Sequence, residues 1–506
     1  MTGSTNDLGG VPRSGWRLAV ACVSLLAIGS APIFLRTFVN DDSTYALVAR
    51  KLAAGGLLYR DAVDNKPPLI YLTFGAAYAL FGNASLAVVK LLAVAVDLAC
   101  AGLLLLIGRR LFSPRVGALA ALFFSAAAVT GLAEDFAAPN TECFMNLFVL
   151  AALALLSRDP ERPRRRALVA AGVLIGVASL YRLQGAVALL AWIGFFFLRR
   201  RALQPRFLAV AAWMTGGFLL PLACAAGVFC AQGAWSDLWL WAVRNNFSYV
   251  DIGAAHFGWR PLARIALAAI SQLPWLAAAI AGGAYWLRTR EPERGRTLLI
   301  WVHLLAALFA YQTGTRFYGH YALQVVPFVS LMAAWGVANL PRPRLPWLRF
   351  VPYATVVWLI GFSVANTLRL APPWDHQGAL DVAAAVKADG ARAGDVLLWS
   401  APPDVAWESG RGFATRFPFN NYLTGRIFGT PHNLPSATRD ENRAFESAAG
   451  WRLFAEDLAA SRPAFVVDGR LPGFEARSYP LLEEYLRRYY AAPVRVGRYD
   501  VYRRMP

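Results

Sequence analysis

The chain of 506 residues is 57% hydrophobic and only 16% charged, with a mean hydropathy of +0.42, which excludes an ordinary soluble domain. A net charge of +19 would raise nucleic acid as a partner, but the arginines cluster between apolar runs and not along one amphipathic face, so no nucleic acid is expected. Cys22, Cys100, Cys143, Cys224 and Cys230 all lie in or beside apolar segments without zinc-ligand spacing, which argues against a disulfide framework or a thiolate metal site.

The amino terminus, residues 1–16, is polar and carries Arg13 ahead of the first apolar run. No A-x-A-like cleavage site follows that run, so it reads as an uncleaved first span. Crossing a membrane takes about 20 mostly apolar residues, and about eleven segments qualify. They lie near 17–35, 85–107, 116–133, 142–157, 167–183, 185–198, 207–230, 262–287, 297–311, 321–340 and 350–369. Basic clusters follow alternate segments: Arg109, Arg110 and Arg115; Arg158 to Arg166; Arg199 to Arg206; Arg288 to Arg296; Arg342 to Arg349. Because cytoplasmic loops collect Lys and Arg, these clusters and the amino terminus are assigned to the cytoplasm. Loops 36–84, 134–141, 231–261 and 312–320 then face outward, as does everything beyond about residue 370.

From residue 371 the composition becomes that of a small soluble domain. A helix pattern at 380–390 is followed by strand patterns at 395–400 and 464–468, a helix at 480–490 and a last strand within 493–504. The expected architecture is an α-helical polytopic membrane protein, spanning over 17–370, with a small extracytoplasmic α/β domain at 371–506. The alanine and arginine bias points to a bacterial inner membrane, where the acceptor-type triplets at Asn83 and Asn246 carry no glycosylation meaning.

The most polar outward stretch is NDDSTYALVARKLAAGGLLYRDAVDNKPPL, residues 40–69. Asp41 and Asp42 either cap a helix beginning near Ser43, with Asn40 as an alternative cap, or act in chemistry. Asp61, Asp64, Glu134, Asp135 and Glu142 are placed on the same face. Glu142 lies at the mouth of a span, where an acid is costly unless it is paired or faces a wet cavity. Lys66 precedes Pro67 and Pro68, which fix an extended approach to the next segment; its ammonium either contacts headgroups or is aimed at an anion.

Further along, Arg182 and Gln184 lie at the outer end of a span, and Arg244, Asn245, Asn246 and Tyr249 in an aromatic outer loop. Arg316, Tyr318, His320 and Tyr321 supply a planar cation and a donor for a phosphate, or an interfacial aromatic belt with one anchor. Phosphate-loop, dinucleotide, HExxH and GxSxG motifs are absent from the sequence, which leaves nucleotide-driven transport, Rossmann redox chemistry and zinc proteolysis without support.

Asp41-Asp42-Ser43-Thr44-Tyr45, Leu58-Tyr59-Arg60-Asp61 and Asn65-Lys66-Pro67-Pro68-Leu69 together resemble the first external loop of the GT-C glycosyltransferases. The similarity is greatest to family 39, with its protein O-mannosyltransferases and lipid A aminoarabinose transferases. Asn140 to Phe144 resembles the second acidic site of that group, and Arg316-Phe317-Tyr318 with His320-Tyr321 its late motif. Two departures stand out: Asp42 replaces the usual Glu, and Asn65 replaces a Glu associated in some members with zinc. The resemblance therefore implies no required cofactor and no aminoarabinose specificity.

What it implies is transfer of a sugar from a polyprenyl-phosphate donor to a lipid, glycan or protein acceptor on the outer face, with inversion at the anomeric carbon. Asp41 would be the base, Asp42 its support, and Glu142 a group that orients the acceptor or stabilises positive charge. Tyr45, Lys66, Arg182, Arg316, Tyr318, His320 and Tyr321 would bind the substrate. The competing expectation is a lipid or polysaccharide flippase. Transporters, however, place polar residues near the midplane in related halves, whereas here they lie at outer ends.

Overall fold

The computed structural model describes residues 13–35, 41–82, 84–160, 162–199, 206–247, 259–288, 293–313, 316–339, 351–368, 376–390, 394–425 and 446–506. Residues 1–12, Asn40, Asn83, Ser248 and Tyr249 lie outside the described residues, as does the basic cluster from Arg342 to Arg349.

Helix α1 (Arg13–Leu35) leads into the amphipathic α2 (Asp41–Ala53), and then come α3 (Leu69–Phe81), α4 (Leu86–Leu111) and α5 (Pro114–Ala127). Ser85 caps α4 by accepting from Ala87 N–H at 3.2 Å, and Ser113 caps α5 from Val116 N–H with Pro114 in the first turn, so short polar residues break the apolar run between helices. A four-residue turn, α6 (Ala133–Phe136), precedes α7 (Thr141–Leu156) and α8 (Arg165–Tyr181). After a 3-10 turn at Leu183–Ala186 come α9 (Val187–Leu198) and the 25-residue α10 (Phe207–Ala231). Leu208, Leu219, Leu220 and Val228 of α10 are exposed, as expected of a helix whose solvent is lipid.

Helices α11 (Trp259–Ser271) and α12 (Leu273–Trp286) are bent by 81°, so the segment expected as one span over 262–287 is two helices meeting at a corner. Pro274 in the first turn of α12 cannot continue the preceding helix. Gln272 at the break donates from Nε2 to Ala127 and Thr130 carbonyls at 3.1 and 2.8 Å, pinning the corner to the end of α5. Helix α13 (Glu293–Gln312) is followed by a 3-10 segment, Gly319–Gln324, then α14 (Val326–Asn339) and α15 (Val351–Leu368). The expected span 321–340 thus begins as a 3-10 turn. Among the described residues three helices, over Gly15–Leu35, α4 and α10, are long and apolar enough to cross a membrane by themselves, or four with the bent pair. Helix α3, unexpected within loop 36–84, is one of several shorter apolar helices.

The two ends of the bundle differ chemically. Arg110 donates to Ala154 O, and Arg296 to Leu111 O, so the ends of α4 and α7 meet the start of α13 at an arginine-rich end. At the opposite end, Lys90 in the second turn of α4 donates to Ile33 O at the end of α1, and the start of α7 meets the end of α8 through Glu142 and Arg182.

Beyond α16 (His376–Ala388), β1 (Val396–Trp399), α17 (Ala448–Ser461), β2 (Phe465–Asp468), α18 (Pro480–Tyr489), β3 (Val494–Val496) and β4 (Tyr499–Arg503) form the carboxyl-terminal unit. Its sheet has the order β1-β2-β4-β3, with β1 and β2 parallel and the other pairs antiparallel. The last expected strand is a hairpin: Gly497, with φ of 57°, supplies the left-handed residue of a two-residue turn between paired Val496 and Tyr499. Trp399 is fully buried between Trp451, Phe454 and Tyr479 and donates to Phe474 O at 2.9 Å, closing the core of this unit.

Candidate active site

Asp41 opens α2, so its carboxylate sits where the helix macrodipole favours negative charge. One turn later, Tyr45 is buried and donates to Asp41 Oδ2 at 3.0 Å, the i to i+4 spacing that places two side chains on one helix face. Lys66 Nζ stands 3.7 Å from the same oxygen. The lysine is held by its backbone: Tyr59 O–H donates to Lys66 O at 2.7 Å, and Pro67 and Pro68 follow. These two charged side chains remain partly open, 37% exposed for Asp41 and 19% for Lys66, so they can meet a substrate.

Behind them the site is walled by a buried ion pair. Glu142 Oε1 lies 2.5 Å from Arg182 Nη1 and Thr141 Oγ1 donates to Glu142 Oε2 at 2.9 Å. Glu142 is 0% and Arg182 5% exposed, so removing either partner would strand a charge at a cost of about 3–5 kcal/mol. The Arg182 guanidinium lies 4.0 Å above the Tyr321 ring. Tyr321 meets His320 edge to face at 4.8 Å, and His320 stacks on Tyr318 at 5.7 Å. Arg264 covers the other face of this aromatic group, 4.4 Å from the Tyr318 ring, and donates to Arg316 O at 3.0 Å.

Asp135 organises the histidine. Its Oδ1 accepts from both His320 N–H and Nδ1 at 3.1 Å, which directs Nε2 away from the carboxylate. A Cβ at residue 319 would fall 2.2 Å from Asp135 Oδ2; only glycine allows this approach.

Burial works to raise the Asp41 pKa, but Lys66, His320, the Tyr45 hydrogen bond and Arg182 together take it below the ordinary carboxylate value. Burial likewise opposes the charge on Lys66, but Asp41, Tyr321 and Asp64 together outweigh it, so Lys66 lies above its usual value. For His320 burial is outweighed by Glu142 and Asp135, which raise it. The site therefore combines an ionised carboxylate with neighbouring cations.

Eight of the expected residues converge: Asp41, Tyr45, Lys66, Glu142, Arg182, Tyr318, His320 and Tyr321. Arg316 is buried beside them, its charge acting on the Tyr318 phenol. Asp42 faces away, with Lys90 Nζ at 3.9 Å, and burial raises it to about 6; the helix turn separates it from Asp41. Glu142, expected to orient the acceptor or stabilise positive charge, is buried and paired with Arg182. Asp135 and Thr141 join the site through partners with no spacing signal in the sequence. Asp61 accepts from Leu57 N–H at 2.7 Å and closes a turn. Asn65 presents an amide, bonded to Lys66 and Asn246, and among the described residues no group of three or more His, Cys, Asp or Glu side chains is placed to hold a metal ion.

Residues 65–227 match the model of the dolichyl-phosphate-mannose-protein mannosyltransferase family. No curated protein sequence matches the chain. Among solved structures, ArnT from Cupriavidus metallidurans superposes in its apo state with a TM-score of 0.64, and in the form bound to undecaprenyl phosphate with 0.61. Each is 14% identical and covers 97% of this chain and 98% of the other. The archaeal oligosaccharyltransferase AglB from Archaeoglobus fulgidus, in complex with an inhibitory peptide and a dolichol-phosphate, gives a TM-score of 0.54 at 13% identity, over 98% of this chain and 75% of that one. The chain therefore has the GT-C fold, in the form seen in membrane enzymes that carry a carboxyl-terminal unit with a small sheet.

Proposed function

We propose that this protein is a membrane glycosyltransferase that moves a sugar from a polyprenyl phosphate to an acceptor hydroxyl at the outer face of a bacterial inner membrane. The observation that carries the reading is the partly open Asp41 carboxylate 3.7 Å from the Lys66 ammonium, a base and a phosphate contact side by side at the polar end of the bundle. The lipid phosphates held by ArnT and AglB and the mannosyltransferase family match favour a transferase over a transporter.

In this reading the acceptor oxygen attacks the anomeric carbon from the face opposite the phosphate. The bond to the phosphate oxygen breaks, its electron pair leaves with the lipid phosphate, and Asp41 takes the hydroxyl proton. The configuration inverts. Lys66 has three donors, so it bridges the base and the phosphate. Before the donor binds, Lys66 holds Asp41 ionised; once the phosphate engages the ammonium, Asp41 loses part of that stabilisation and becomes a stronger base at the moment it is needed. Arg182, held by Glu142, and His320, held by Asp135, add positive potential for the leaving phosphate. Tyr318, Tyr321 and Tyr45 line the same face, and Arg316 supports it from behind.

The test is transfer from polyprenyl-phosphate sugars in proteoliposomes. Asp41→Asn is expected to lose on the order of 10²–10⁴ in kcat while retaining donor binding; wild-type turnover would remove Asp41 as the base. Movement of donor across the bilayer without transfer to any acceptor would replace the enzyme with the flippase.

A further inference from the structure

The carboxyl-terminal unit has no residue in the reaction described above, yet it reaches the lysine loop through one buried phenol. Tyr422 O–H donates to Asp64 Oδ1 at 2.8 Å. Tyr71 O–H, in the first turn of α3, donates to Asp64 Oδ2 at 2.7 Å, and Asn65 N–H donates to Asp64 Oδ1 at 2.7 Å. Asp64 is 4% exposed and Tyr71 0%, so this carboxylate is satisfied by three donors from two parts of the chain. A second bond runs beside it: Val63 N–H donates to Arg416 O at 2.7 Å, and Arg416 is held in turn by a bidentate pair with Asp457 on α17.

The outer loop before α11 closes the third side. The Tyr422 ring meets Trp241 edge to face at 5.6 Å, and Asn246 Nδ2 donates to Asn65 O at 2.8 Å. Lys66 therefore follows a three-residue lead, Val63 to Asn65, and the backbone is bonded at Val63, Asn65 and Lys66 itself, with two prolines behind it. The backbone from which the ammonium projects is thereby fixed next to Asp64.

We infer that Tyr422 is a positioning residue: the carboxyl-terminal unit sets the place of Lys66 by holding Asp64, and so tunes capture of the donor phosphate. This rests on the proposed role of Lys66. A 1 Å misplacement of a phosphate contact is a substantial loss of binding, and Tyr422→Phe removes the hydroxyl while keeping the ring against Trp241. The expected result is a donor KM raised about ten-fold with kcat within about two-fold of wild type. Asp64→Asn should act in the same direction. Lys66→Ala should make a further Tyr422→Phe change silent, because the two act through one contact.

Hydrogen exchange gives a readout independent of catalysis. In Tyr422→Phe the amides of Val63 to Lys66 should exchange faster while those of β1 and β2 are unchanged. Unchanged exchange and unchanged donor KM in Tyr422→Phe, with Lys66→Ala still raising KM, would overturn the inference and leave the transferase reading standing. Faster exchange with no KM change in either variant would overturn the inference and remove Lys66 from the donor site. Faster exchange across the whole carboxyl-terminal unit, with loss of its thermal transition, would also overturn it, by making Tyr422 a folding residue.

Discussion

Asp41 and Lys66 form the smallest unit of the proposed transfer chemistry, and their coupling makes a pH prediction. Lys66 is the strongest of the groups that lower the Asp41 pKa. In the free enzyme the acid limb of kcat/KM should therefore lie below the range of an ordinary carboxylate. Removing the ammonium in Lys66→Ala should move that limb to higher pH, since the ionised form loses its main support while burial continues to disfavour it. In wild type, donor phosphate draws on the same ammonium, so the acid limb of kcat should lie above that of kcat/KM. Profiles from about pH 2.5 to pH 8 check both; a limb that does not move in Lys66→Ala would place the titrating group elsewhere. The candidacy of these two residues was legible in the sequence because they sit 25 positions apart in one polar loop with prolines behind the lysine. Asp64 was not, because its decisive partner Tyr422 is 358 positions away and lies in a segment with no motif of its own.

At the scale of elements, the 3-10 segment Gly319–Gln324 does what a regular helix could not. It presents His320 and Tyr321 on a tight turn against α6 and α7, so that Asp135 accepts from the backbone N–H and Nδ1 of His320 and Tyr321 lies under Arg182. The fit depends on the missing side chain at residue 319. Gly319→Ala would drive a Cβ into the Asp135 carboxylate, free the imidazole and let its raised pKa fall back. The expected outcome is a loss of about ten-fold in kcat/KM at neutral pH, whereas Gly75→Ala in α3, where nothing lies within 4 Å of the added carbon, should leave turnover unchanged. Equal effects of the two changes would show that the Asp135–His320 contact does not matter to the reaction. Hydropathy located most of the apolar helices, since each needs a continuous run; it could not show the 81° corner at Gln272, which is stabilised by carbonyls of α5 that only the fold brings near. Helix α3 was hidden for a related reason, as its 13 residues are too few to register as a span. The Val-Gly-Arg-Tyr turn that splits the last strand did carry a glycine signal.

For the whole molecule, the joint between the helical bundle and the carboxyl-terminal unit is as consequential as either part. Helix α2 presents Asp41 to the site from one side and Asp42 to the joint from the other. There Asp42 is 3% exposed, with Asp404 and Glu408 of the carboxyl-terminal unit adding negative charge and Lys90 offsetting it. Burial raises Asp42 to about 6, and burial together with Asp42 raises Asp404 further. Both folded-state values lie above the unfolded ones, so the stability these acids contribute is fully present below the unfolded carboxylate pKa and is lost as pH rises through the folded values. The protein should thus be harder to melt at pH 5 than at pH 7.5, by an amount that for Asp42 alone is on the order of 1–1.5 kcal/mol, since the unfolded carboxylate is already ionised at pH 5. Asp404→Asn keeps the shape and removes one titrating acid from the joint. It should raise the melting temperature at pH 7.5 by more than at pH 5, and so flatten the profile. Thermal unfolding of wild type and Asp404→Asn in lipid nanodiscs at the two pH values measures this directly, with tryptophan emission reporting on the unit that contains Trp399, Trp407 and Trp451. A wild type that is more stable at pH 7.5 than at pH 5, or an Asp404→Asn profile as steep as that of wild type, would mean that the acids at the joint are ionised and paired in the folded state. Asp42 would then belong electrostatically with Asp41 and the transfer site, and the joint would be held by its aromatic contacts, Tyr78 on Trp407 and Trp241 on Phe417 and Tyr422.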